Sequence, residues 1–109
     1  VIDEILKTEY CTDFDKLRKN RMATSYFKYG KIKENYGQKL VSAVENLEIR
    51  VEKYKKTGNT EYLLDIANFA MIEYMYPQHE NAYFSSTDNK DNLAGITINE
   101  LKESYSSVL

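Results

Sequence analysis

Carboxylates at helical spacing are the first residues in this chain that could do chemistry. Glu45, Glu48 and Glu52 form one set, and Glu61, Asp65 and Asn68 a second, partly amide one. At about 100° per residue each set falls along one stripe of a helix. Like charges three and four residues apart repel, so each stripe calls for a cation or a basic partner. If Glu45, Glu48, Glu61 and Asp65 meet between two antiparallel helices, an all-oxygen set results that suits Mg²⁺ or Mn²⁺ rather than zinc. The alternative is a solvated face, with Glu45, Glu48 and Glu52 paired to Lys55 and to basic residues upstream. Asp65 and Asn68 fit that alternative less well. Their neighbours in sequence are almost all apolar, so they are expected to line an edge, a partner surface or a site.

The second set is basic. Between Asp15 and Glu34 lie Lys16, Arg18, Lys19, Arg21, Lys28, Lys31 and Lys33 with no acidic residue, interleaved with Tyr26, Phe27 and Tyr29. Cations mixed with aromatic rings can hold a small anion or track a phosphate backbone. They can equally pair with the acidic helices of the same fold. The third set is polar: His79, Asn81, Thr87, Asp88, Asn89 and Asp91 supply donors, acceptors and one imidazole. From these sets, Lys16, Arg18, Arg21, Asn68, His79, Thr87 and Asp88 are the expected contacts of a small anionic ligand, with no catalytic residue and no cofactor required. Asp88-x-x-Asp91 lacks the alternating ligands and terminal Glu of a calcium loop. Cys11 has no Cys or His neighbour to make it a nucleophile or ligand, and is expected as a small buried residue before a helix.

These side chains must be positioned by helices. Pro77 is the single proline, glycine is sparse, and alternating strand-like runs are nearly absent. Leu40, Val44, Leu47, Val51 and Tyr54 recur at steps of four and three, which predicts a helix over 36–57 closed by Gly58. A second helix over 60–76 is apolar on nearly all sides, from Leu63 to Met75, and belongs at the centre of a bundle. Thr60 is its expected N-cap and Pro77 its stop. The short link through Gly58 and Asn59 makes the pair antiparallel. Upstream, Thr12 and Asp15 have capping-box spacing ahead of a helix over 13–29 closed by Gly30, and residues 2–8 could add a turn or two. Downstream, a long polar loop over 77–96 precedes a helix over 97–105, opened by Thr97 and Glu100. The expected fold is therefore all-α: one domain over 1–109, a small antiparallel bundle of three to four helices with that loop before the last helix.

Composition narrows the function. At 109 residues with one Cys, the chain has neither a disulfide framework nor a Cys-rich zinc module. No apolar run approaches the roughly 18 residues of a membrane span, and no signal-peptide pattern is present, so a cytoplasmic protein without membrane contact is expected. A formal net charge of −2 disfavours general nucleic-acid binding. The charge is uneven: residues 1–56 hold 13 basic and 9 acidic side chains, net +4, and residues 57–109 hold 2 and 8, net −6. Ten Tyr and four Phe leave aromatic surface for a partner, so a homo-oligomer is expected.

Two resemblances add to this reading. Glu45-Asn46-Leu47-Glu48, followed after twelve residues by Glu61-Tyr62-Leu63-Leu64-Asp65, resembles the paired motifs of all-α MazG-like nucleotide pyrophosphohydrolases. That likeness implies Mg²⁺ on Glu45, Glu48, Glu61 and Asp65 and release of pyrophosphate, although the second motif has three intervening residues where the family has two. More of the chain is similar to small proteins encoded in phages and conjugative elements of low-GC Gram-positive bacteria. The blocks are Phe14-Asp15-Lys16-Leu17-Arg18-Lys19-Asn20-Arg21-Met22, Tyr54-Lys55-Lys56-Thr57-Gly58-Asn59-Thr60-Glu61 and Asp65-Ile66-Ala67-Asn68-Phe69-Ala70-Met71-Ile72-Glu73. That family carries no activity over. It implies a setting in the host cytoplasm, in which a binding module sequesters a small anionic ligand or inhibits a host defence protein; the pyrophosphohydrolase is the alternative.

Overall fold

The computed structural model describes residues 1–87, and among these it is all-α, with five helices and no strand. They are α1 (Ile2–Glu9), α2 (Thr12–Tyr29), α3 (Ile32–Asn35), α4 (Ala43–Thr57) and α5 (Glu61–Met75). No described helix is long and apolar enough to cross a membrane. The helix expected over 97–105 and loop residues 88–96 lie outside the described residues. Residues 77–87 of the loop form no helix.

α5 occupies the middle, packing against α4 on one side and α2 on the other. Its Leu64, Asn68 and Ile72, one turn apart, are buried along this seam, and Ala43 of α4 is buried as well. Such a narrow seam explains why apolar residues elsewhere on α5 stay half-exposed. The α4–α5 link is closed as the sequence implies. Gly58 adopts φ 72, a left-handed conformation that a Cβ would disfavour, and its N–H bonds the Tyr54 carbonyl at 2.7 Å. The Thr60 side chain makes no cap bond; Asn59 Oδ1 accepts from the Glu61 N–H instead, at 3.0 Å.

Two boundaries differ from expectation. α2 is capped by Cys11, whose Sγ accepts from the Phe14 N–H at 3.3 Å, so Thr12 is the first helical residue and Cys11 is exposed rather than buried. The larger correction is at 36–42, expected as the first two turns of α4. The chain instead makes a single helical turn, α3, ahead of this segment and then doubles back through it, with the Leu40 and Val41 N–H groups both on the Asn35 carbonyl at 2.9 and 3.0 Å. A Cβ at Gly37 would collide with the Lys33 carbonyl, so this tight path needs glycine there. Ser42 then opens α4, its Oγ accepting from the Glu45 N–H at 3.1 Å.

That shift changes which face of α4 points inward. Leu40 is 71% exposed and Val44 is exposed, while Ala43, Asn46, Leu47, Arg50, Val51 and Tyr54 face the neighbouring helices. Beyond α5, Gln78 pins the turn in place. Its Nε2 donates to the carbonyls of Tyr36 at 3.0 Å and Val41 at 2.6 Å, and its backbone N–H bonds Glu73 at 2.8 Å.

A cationic cleft between four helices

The pinned turn walls a cleft of about 590 Å³. α2 contributes Arg21, Met22, Ser25, Lys28 and Tyr29; α3 and the turn contribute Asn35, Tyr36 and Val41; α4 contributes Asn46 and Arg50; α5 contributes Asp65, Asn68, Phe69 and Ile72. The volume falls in the range of small-molecule sites, and the lining is mixed, with the charged and amide groups set among Met22, Tyr29, Tyr36, Phe69 and Ile72.

Asp65 organises the charges. Arg21 grips it in a fork, Nε to Oδ1 at 2.7 Å and a terminal nitrogen to Oδ2 at 3.0 Å, and reaches Glu61 with the other terminal nitrogen at 3.1 Å. Such bidentate pairs are the strong form of the interaction, and Asp65 is only 16% exposed. The hydrogen bond to Asp65 raises the Arg21 guanidinium further, against the opposing effect of burial, so this cation is fixed. Arg50 approaches Asp65 through Nε alone, at 3.4 Å, and stands 5.6 Å from the centre of the Phe69 ring. Its terminal nitrogens have no acceptor among the described residues. Lys28 likewise has no counter-ion there. Three cations thus line the cleft against one carboxylate, and that carboxylate is already held by Arg21. Burial raises the Tyr36 phenol, and Arg50 pulls it the other way, so the hydroxyl stays protonated at neutral pH.

Asn68 sits at the floor of this arrangement, 5% exposed. Its Nδ2 donates to the Arg18 carbonyl at 3.0 Å, while its Oδ1 is buried with no hydrogen-bond partner among the described residues.

The expected contacts divide. Arg21 and Asn68 come together in the cleft. Arg18 turns away, its guanidinium on Asp15 at 2.9 Å and near the Met71 sulfur, although its carbonyl anchors Asn68. Lys16 is exposed on α2 and does not line the cleft. His79 is exposed and accepts from the Asn81 N–H at 3.0 Å; Thr87 is exposed on the tail, and Asp88 lies outside the described residues. The four carboxylates of the metal reading are not brought together. Glu45 and Glu48 lie on the outer face of α4 beside Glu52, Lys53, Lys55 and Lys56, with Lys55 on Glu52 at 3.4 Å. Glu61 and Asp65 are turned toward Arg21. No group of three or more His, Cys, Asp or Glu among the described residues could hold a metal ion. The residues as placed do not fit a Mg²⁺ centre.

Arg50 and Tyr36 line the cleft without being expected there, and Lys28 belongs to the basic set but not to the contacts chosen from it. The signal for Arg50 was present. Ser42-x-x-Glu45 is a capping box, and starting the helix there puts Ala43, Asn46, Leu47, Arg50 and Tyr54 on one stripe. Comparison with protein-family models, curated proteins and solved structures finds no match to this chain.

Proposed function

We propose that this chain is a binding module that holds a small anionic ligand in the cleft between α2, α4 and α5. The observation that carries this reading is the excess of cation over carboxylate in a half-open cleft that also holds aromatic side chains. Arg21 is consumed by Asp65, which leaves Arg50 and Lys28 to meet an anion. In a partly desolvated cleft such contacts are stronger than on open surface. Arg50 and Lys28 therefore replace Lys16 and Arg18 as the contacts of choice. Mg²⁺-dependent hydrolysis finds no support in the placement of Glu45, Glu48, Glu61 and Asp65. In the mobile-element setting that the sequence resembles, such a module would sequester a host metabolite or signal.

The test is a titration followed by ¹H–¹⁵N NMR, with inorganic phosphate, sulfate and benzoate as probes. Shifts at Arg50, Phe69 and Asn68 are expected, weakened about tenfold or more in Arg50→Gln, the equivalent of about 1.4 kcal/mol. Shifts scattered over the surface lysines would overturn the reading.

A second reading, a protein partner, is supported by the apolar side chains of α1. Ile2, Ile5 and Leu6 are all exposed, as are Phe27 and Tyr29 on α2.

A further inference from the structure

We infer that the ligand of this cleft is an oxyanion that carries its own hydrogen-bond donor, read by the unpaired Oδ1 of Asn68. The inference rests on the anion-cleft reading and adds to it the feature that selects among anions. Buried side-chain acceptors are nearly always paired, because leaving one unmet costs about 1–3 kcal/mol. Asn68 leaves one unmet on the central seam of the molecule. Its orientation is settled: Nδ2 must face the Arg18 carbonyl, which can only accept, so the orphan atom is the oxygen.

A site combining cations with a lone acceptor makes a specific demand. Arg50 and Lys28 attract any oxyanion. The Asn68 oxygen repels the lone pairs of an anion that has no proton to offer, and rewards one that has an O–H or N–H. At neutral pH inorganic phosphate keeps at least one O–H, and sulfate, of the same shape, has none. Oδ1 is closed to bulk water, so a donor reaches it only as side chains lining the same cleft give way. Sites built to bond a substrate donor reject analogues lacking it strongly, because the buried acceptor is then left unpaired.

Two matched pairs test this by NMR titration of the full chain at neutral pH: phosphate against sulfate, and 3-hydroxybenzoate against benzoate. Each pair differs in the donor. We expect the donor-bearing member of at least one pair to bind tenfold or more tightly, and Asn68→Leu to abolish that preference while the donor-free member still binds. The pair with the larger preference separates a free oxyanion from an anion borne on a ring. Should the leucine variant not fold, Asn68→Ala serves the same purpose. Equal affinities within both pairs, or a preference that survives at both Asn68 variants, would overturn the inference and leave the anion cleft standing. Absence of binding by all four probes would sink the anion cleft itself, and this inference with it.

Discussion

Arginines 21 and 50 share one carboxylate and do different work with it. Arg21 presents a planar fork to Asp65 and has a second acid, Glu61, on its remaining nitrogen, so its role is to tie α2 to α5. Arg50 touches Asp65 at the edge of hydrogen-bond distance and keeps its terminal nitrogens available. Tyr36 lies near Arg50 and reports on the same cleft. Its phenol is raised above the ordinary 10.0 because burial disfavours the phenolate more than Arg50 favours it. The folded state therefore keeps this proton at pH values where the unfolded chain has released it. The resulting contribution is intact below about pH 10 and is lost as pH rises through the folded value. Urea denaturation between about pH 9 and about pH 11 should show the native chain losing stability more steeply than Tyr36→Phe. Parallel curves would mean that the phenol is as well hydrated in the fold as out of it.

At the scale of elements, the start of α4 decides what the cleft contains. Ser42 caps that start, and Asn46 Nδ2 braces the Ser42 carbonyl at 2.8 Å. Ser42→Ala should lower stability by about 1 kcal/mol in urea denaturation, the usual loss of a helix cap. Thr12→Ala should stay within about 0.5 kcal/mol, because Cys11 holds the cap of α2. A larger loss at Thr12 than at Ser42 would reverse the assignment of both caps. The same element shows what the sequence could and could not reveal. The α4–α5 pair, its Gly58 turn and the central place of α5 were legible, since they follow from apolar periodicity and a left-handed glycine. The 36–42 segment was not, because Leu40 falls in step with the stripe of α4 by coincidence and nothing local marks Gln78, far along the chain, as the residue that holds the turn. Asn68 was legible as an anomaly on an apolar helix. Its orphan oxygen depends on where Arg18 of another helix places its carbonyl, and no local pattern encodes that.

At the scale of the molecule, burial among the described residues is concentrated where α5 meets α4 and α2, and α1 takes no share in it. All eight residues of α1 are exposed, although Ile2, Ile5 and Leu6 lie on one side of a strongly amphipathic helix. Helices this short are not stable in water on propensity alone; packing of the apolar face supplies most of what keeps them folded. The ion pair of Lys7 with Glu4 at 2.9 Å adds only a few tenths of a kcal/mol, both partners being exposed. Covering three large aliphatic side chains is worth about 1.5–3 kcal/mol each, so α1 becomes firm only against another surface. Hydrogen exchange at low micromolar concentration should therefore find the α1 amides exchanging near the unfolded rate while those of Leu64 to Ile72 remain protected. Protection of α1 that grows with protein concentration would identify a second copy of the chain as that surface. Strong protection already present in a dilute monomer would contradict the exposure of Ile2, Ile5 and Leu6.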